Sequence, residues 1–415
     1  MRIHVDWSCS GSYFLSSVLI VSGIAQSAIA QDKPQADATV TVPGIKLPPS
    51  QPLFEGKVSV SVSAEETYAG KGKSDEYPTN SSSRASLLGN LYFTEDFYLS
   101  GNFSVAGSSG NKTTENYLID GAYGSIRELA LRYDSDDYSL VAGRTSVNFS
   151  LAKRFSAGMG GSSVINSEYG VDGMLVLGGQ YTINGGRYGN HAISLNAFKV
   201  DNSFLADSIG ISKDPIPLEF GGAGNTGTFN NYAIALDGLK IQALPKFRYQ
   251  LAAVKLSTNH ILNPRTQQEV DSKYLASETR YVAAIMWDKL DFVGGVKVTP
   301  LLEYNRTLNS LGIAGYNKSY YTGSLLFTYK QWNLGVSGSF WDTNWNGIEN
   351  GRGLLPGNPN TADRQNQFQL ALGYAFQNGI RASIGYRKEY KYTNIHAQTI
   401  GITLSYDTSF AFMKR

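Results

Sequence analysis

The chain has 415 residues, with 36 Lys and Arg against 34 Asp and Glu, and a formal charge of +2 lacks the clustered basic surface that nucleic-acid binders carry. Charged residues make up 17%, below the roughly 25% usual in soluble domains. One Cys and four His exclude a disulfide framework, a zinc ribbon and an Fe–S site, and leave little room for a multi-histidine metal centre. No cofactor and no nucleic-acid partner are expected.

Residues 1–30 read as an export signal. Arg2 and His4 precede the apolar run 14–21, and Ala28-Ile29-Ala30 supplies a small-x-small cleavage site before Gln31. Cys9 falls inside this segment, so the exported chain is expected to contain no Cys. Residues 31–54 are rich in Pro and polar side chains (Val42-Pro43-Gly44, Leu47-Pro48-Pro49) and read as an extended periplasmic linker. Beyond the signal no stretch approaches the ~20 apolar residues of a membrane-spanning helix.

From residue 55 to 415 the pattern is alternation. In Lys57-Val58-Ser59-Val60-Ser61-Val62-Ser63 every second residue is apolar, which defines a strand with one apolar and one polar face. The pattern recurs in segments of about ten residues. Short connections fall at 94–96, 134–137, 184–190, 244–246, 288–290, 330–331 and 377–379, the last holding the hairpin pair Asn378-Gly379. Long polar connections fall at 69–83, 107–124, 147–168, 201–228, 259–277, 305–317 and 343–363. These join fifteen strands, and a tight bend at Thr393-Asn394 adds a sixteenth. Short turns on one side, long loops on the other and an even strand number predict an all-β fold, a transmembrane antiparallel barrel of about 16 strands. Trp332, Leu334, Val336 and Phe340 should face lipid, with Asn333, Ser337 and Ser339 opposite. Phe368, Leu370 and Leu372 should do the same against Gln367 and Gln369, and aromatics near strand ends suit two interfacial girdles. About sixteen strands enclose a lumen too wide for side chains to fill, so an aqueous channel is expected.

One region carries more than rhythm. The segment 84–97, Arg127-Glu128-Leu129-Ala130-Leu131-Arg132-Tyr133, and then Asp136-Asp137-Tyr138 through Gly143-Arg144 together resemble strands two to five of the Gram-negative general diffusion porins. In that family a strand ending in Gly-Arg runs into a long third loop. The resemblance implies an outer-membrane location, contact with membrane lipid and lipopolysaccharide, a homotrimer, and a third loop (147–168 here) that folds inward and narrows the channel. Two departures are visible. This loop carries Lys153 and Arg154 where the family's is usually acidic. The chain also ends Phe410-Ala411-Phe412-Met413-Lys414-Arg415 rather than on an aromatic, which leaves the limits of the last strand open.

Strand parity turns Lys57, Arg84, Arg132, Arg144, Lys297, Arg381, Arg387 and Lys391 inward, with Glu65, Glu128, Asp237, Glu303 and Glu389. Arg84, Arg132, Arg144, Lys153, Arg154, Arg381 and Arg387 are the candidate pore-constriction residues, a basic stripe that would favour anions. Against this stands a solvated wall whose charges pair with one another. Trp341 and Trp345 could stack sugar rings, but fit girdle or loop-packing roles better. His396 shares parity with Ile400 and Ile402, and no Ser pairs with it, so no enzyme is expected. The reading is a porin passing small hydrophilic solutes and ions; the alternatives are a substrate-specific channel for a sugar, organic anion or iron chelate, and a non-conducting adhesin or structural barrel.

Overall fold

The computed structural model describes residues 53–68, 79–109, 122–159, 169–206, 208–210, 217–262, 269–345, 365–391 and 395–413. The signal and most of the linker lie outside them, as does the bend at Thr393-Asn394. Sixteen long strands follow one another: β1 (Leu53–Tyr68), β2 (Thr79–Tyr92), β3 (Phe97–Ser109), β4 (Tyr123–Asp134), β5 (Tyr138–Thr145), β6 (Met174–Asn184), β7 (Asn190–Val200), β8 (Asn231–Leu239), β9 (Phe247–Leu256), β10 (Glu278–Trp287), β11 (Lys297–Leu308), β12 (Tyr316–Tyr329), β13 (Trp332–Trp345), β14 (Gln365–Ala375), β15 (Ile380–Lys391) and β16 (Ile395–Met413). Each pairs antiparallel with the next. The first and last close the sheet, in register from Leu53↔Met413 to Tyr68↔Gln398. Phe410 and Phe412 therefore belong to the last strand, which settles its limit as far as Met413.

Closure follows from the solvent. Hydrocarbon offers no partner for an open strand edge, so a membrane-spanning sheet pairs its last strand with its first. The side chains are inverted relative to a soluble protein. On β14, Gln365, Gln367, Gln369 and Ala371 are buried, while Phe368, Leu370 and Leu372 are exposed. Leu251 and Leu302 are 51% and 59% exposed, whereas Gln250 and Asn305 are fully enclosed. The polar face is thus the inner one and the apolar face meets lipid. At the Asn378-Gly379 turn Gly379 takes φ 86°, a left-handed conformation in which an added Cβ would also press on the Asp407 carbonyl.

The regularity breaks at β5. β5 is only eight residues long and stops at Thr145, where the chain turns into the barrel, so β4 outruns it. The unpaired upper edge of β4 is taken up by a short strand of the fourth long connection, Ser208–Gly210, which pairs with Tyr123–Ser125. A second short strand, Leu290–Asp291, extends the turn before β11.

The closing pair is directly testable. Ser63 and Thr403 face each other across β1 and β16, with hydroxyls 3.0 Å apart. In a Cys9→Ser background, Ser63→Cys with Thr403→Cys should oxidise to a disulfide, since facing Cβ atoms lie within about 5.5 Å. The cyclised product should run differently from its reduced form in a denaturing gel. A folded double variant that does not cross-link would contradict the closure register.

Candidate functional site: the inner wall and the third loop

Of the connection between β5 and β6, the described residues 146–159 and 169–173 lie inside the barrel, against its wall. Its backbone and side chains hydrogen-bond to inner-face residues of successive strands. Asn148 donates to Asp237 on β8 (2.7 Å), the Ser150 N–H donates to Gln250 on β9 (2.8 Å), and the Ser150 hydroxyl and Ala152 N–H donate to Glu303 on β11 (2.6 and 2.8 Å). Farther on, the Ala157 N–H donates to Ser324 on β12 (2.7 Å) and the Met159 N–H to Gln369 on β14 (2.9 Å). A Cβ added at Gly385 on β15 or Gly401 on β16 would come within 3 Å of the Met159 side chain. Taken in order, these contacts pass from β8 through β9, β11, β12 and β14 to β15 and β16, so the segment follows the wall. A helical turn, α1 (Ala152–Phe155), carries Lys153 and Arg154.

The wall is shaped to receive it. Inner positions of β6 to β10 are apolar where the polar pattern would place hydrophilic residues: Val176, Phe198, Ala233, Ala235, Val254 and Val282 pack with Val147, Phe149, Tyr169 and Val171 of the loop. A second cluster joins Leu151 and Ala152 to Ala284, Met286 and Leu301. Gly335 on β13 makes room for Ala157, since a Cβ there would lie 2.8 Å from the Ala157 Cβ. Apolar residues on both faces of β8 to β10 are the sequence signal that marks the covered strands.

Glu303 is the centre of the attachment. Besides Ser150 and Ala152 it accepts the Tyr169 hydroxyl at 2.8 Å, so both limbs of the loop end on one buried carboxylate. Burial, with Glu303 alongside, pushes the Tyr169 phenol well above its ordinary pKa and keeps it a donor. Arg280 on β10 donates to the Tyr169 and Gly170 carbonyls at 2.7 and 3.1 Å. Ser150 takes φ 88°, a sparsely allowed region for Ser that its wall contacts hold in place. Trp341 is buried against Tyr320, which in turn meets Tyr169; it packs beneath the loop. The Trp345 side chain lies outside the described residues.

The candidate basic residues divide into groups. Arg132 is on the inner wall of β4 and pairs with Glu128 at 2.9 Å, also reaching Ser100 and Thr145. Arg387 pairs with Glu65 at 3.0 Å and with Glu389 at 3.4 Å, and Arg381 and Lys57 share Asp407 at 3.4 and 3.0 Å. Lys153 pairs within the loop with Asp172, and Arg154 reaches Asn148 at 2.9 Å and Asp237 at 4.0 Å. Lys297 shares the inner face of β11 with Leu301 and Glu303 and is exposed. The Lys391 and His396 side chains lie outside the described residues.

Arg84 is different: exposed, on the inner face of β2, with no carboxylate partner among the described residues. Its neighbour is Arg127, which sequence reasoning did not single out. The β3–β4 register shifts at Asn102/Phe103, a bulge that leaves Arg127 unpaired in the ladder and lets its Nε donate to inner-face Ser104 at 3.1 Å. Arg84 and Ser104 are diagonal cross-strand neighbours, since Arg84 faces Ala106, so the two guanidinium groups share one stretch of wall.

Arg144 corrects the parity expectation. It pairs with Leu129 and Leu175 and has the parity of exposed Leu140 and Ala142, the outer face. At the strand end its guanidinium turns to the Ile126 and Gly173 carbonyls (2.7 and 3.0 Å) and to Asp201. The pairing register with β4 and β6 sets Arg144 on the outer parity, and Thr145, which Arg132 reaches, on the inner one. Arg144 thus pins the root of the loop rather than facing the lumen.

Among the described residues no group of three His, Cys, Asp or Glu side chains could hold a metal ion. No family model matches the sequence, and no curated protein matches it. The fold is similar to that of solved barrels. OprB of Pseudomonas putida matches with a TM-score of 0.56 at 10% identity, over 86% of this chain and 94% of that one. The outer membrane channel DcaP of Acinetobacter baumannii matches with a TM-score of 0.50 at 12% identity, over 88% and 100%. What this chain shares with these outer-membrane proteins is the fold, a closed antiparallel barrel of sixteen strands with an apolar outer face.

Removing the central acceptor tests the attachment. Glu303→Ala leaves three donors without a partner, at about 1–3 kcal/mol each, and should free the loop to protease cleavage in the detergent-solubilised barrel. Glu303→Gln keeps an acceptor oxygen and should protect the loop nearly as well as the native residue. Gly335→Val should displace Ala157 and give the same cleavage without touching any charge.

Proposed function

We propose that the exported chain forms a water-filled outer-membrane channel for passive diffusion of small hydrophilic solutes and ions, narrowed by its third loop, the connection between β5 and β6. Sixteen strands leave a lumen that side chains cannot fill. The observation that supports the narrowing is the series of hydrogen bonds from Asn148, Ser150, Ala152, Ala157 and Met159 to inner-wall residues. Residues 1–30 direct export, the linker lies in the periplasm, and the outer face contacts lipid and lipopolysaccharide. A homotrimer follows from the likeness to general diffusion porins.

In this reading the channel prefers anions weakly. Most inner-wall cations are matched by nearby carboxylates, so they cancel at short range. Arg84 and Arg127 have no carboxylate partner among the described residues, and two such cations side by side on the wall focus a positive potential into the water beside them. Arg132, Arg381, Arg387 and Lys153 set the shape of the lumen more than its sign. The second reading, a channel specific for a small organic anion, is favoured by the surroundings of Arg248.

Single-channel recording in a planar bilayer under a salt gradient tests the proposal. Discrete conductance steps with a reversal potential on the anion side are expected. Arg84→Gln with Arg127→Gln should move that potential toward zero with little change in conductance, and should weaken the dependence of selectivity on ionic strength. A correctly folded barrel without conductance would overturn the porin reading and turn attention to the external loops.

A further inference from the structure

Arg248 stands on the inner face of β9, two residues from Gln250, where α1 of the loop crosses the wall. Its guanidinium carbon lies 5.3 Å from the centre of the Phe155 ring, and that of Arg154 lies 5.7 Å from the same ring. One aromatic ring therefore serves two guanidinium groups. The charges acting on Arg248 are Arg154, Asp237 and Asp288. Asp237 is already engaged, accepting from Asn148 at 2.7 Å and Gln250 at 3.0 Å, with Arg154 at 4.0 Å. Asp288, in the turn after β10, makes no ion pair with Arg248. Among the described residues Arg248 has no hydrogen-bond partner, and its Nη1 is enclosed. A guanidinium carries five N–H donors, and an enclosed donor left unmatched calls for a water or an ion.

We propose that Arg248 and Arg154 form a binding site for the carboxylate of a small organic anion, a proposal that rests on the open-channel reading above. A planar guanidinium fork matches a planar carboxylate with two parallel hydrogen bonds, and Arg is suited to this where Lys is not. The Phe155 ring beside the fork offers an apolar surface to the body of the solute, which favours an organic carboxylate over inorganic phosphate. Arg154 comes from the loop and Arg248 from the wall, so the site exists only while Glu303 and Gln250 hold the loop in place.

The test uses the full chain purified in detergent, titrated calorimetrically with sodium benzoate, acetate and inorganic phosphate, and reconstituted into liposomes for flux of benzoate and glucose. Benzoate should bind the native protein more tightly than acetate or phosphate. Arg248→Gln should weaken benzoate by about tenfold or more, the loss of a charge-assisted pair of hydrogen bonds, and leave glucose flux unchanged. Arg248→Lys, which restores the charge but not the fork, should recover only part of the affinity and controls for folding. Unchanged benzoate affinity in Arg248→Gln, glucose flux falling in step with benzoate, or phosphate binding as tightly as benzoate would each overturn the site. A barrel that binds benzoate through Arg248 yet conducts nothing would keep the site and overturn the channel reading instead.

Discussion

Every part of this molecule depends on one constraint, that backbone amides surrounded by hydrocarbon must find their partners within the sheet. This forces β1 against β16 and gives each strand one lipid face and one enclosed face. The enclosed face then decides the chemistry. Polar side chains buried from lipid are not buried from one another, and they pair across the wall, as Arg387 does with Glu65 and Lys57 with Asp407. The inversion of inside and outside is the price of the membrane as solvent, and it leaves a polar interior available for solutes.

The same constraint explains the third loop. When β5 ends early, two problems appear together: an open edge on β4 and a long segment entering the lumen. The first is met by Ser208–Gly210, the second by the row of wall acceptors that culminates in Glu303. The segment does not cross the lumen on its own; it lies on β8 to β16 and shares their apolar inner positions. A loop held this way has few alternative positions, because sliding it by one strand would uncover Val254 and Val282 and strand the Ser150, Ala152 and Ala157 donors. The left-handed Ser150 is tolerable for the same reason: its amide and hydroxyl both reach fixed wall acceptors.

The electrostatic character is a matter of which charges remain unmatched rather than of their sum. A net charge of +2 says little. Arg132 is neutralised by Glu128, four residues back on the same inner face of β4, whereas Arg84 and Arg127 lie side by side with no carboxylate partner among the described residues. Arg127 reaches the lumen because a bulge re-aims it, and Arg248 because β9 carries it beneath α1. Matching and mismatching of this kind depend on neighbours several strands apart in sequence.

The barrel was legible in the chain because alternation, short turns and long loops are local signals. A period of two needs only a few residues to declare a lipid face, so β13 and β14 could be read residue by residue. The strand number followed from counting turns, and the third loop could be placed from Gly143-Arg144. What local pattern could not supply was position within one residue, and in a strand one residue reverses the face. Arg144 was misplaced for that reason, and Arg127 was missed because a bulge breaks parity without leaving a mark in composition. The apolar inner faces of β8 to β10 were visible in the sequence, but their meaning required the loop that covers them. Glu303, Gln250 and Arg248 gain their roles only when residues 150 to 155 arrive from about a hundred residues or more away in the chain, a contact no periodicity encodes. Sequence alone determined the strands and the solvent each face meets; tertiary structure alone decided which inward groups are satisfied and which are left to meet a solute, because that depends on what the loop brings beside them.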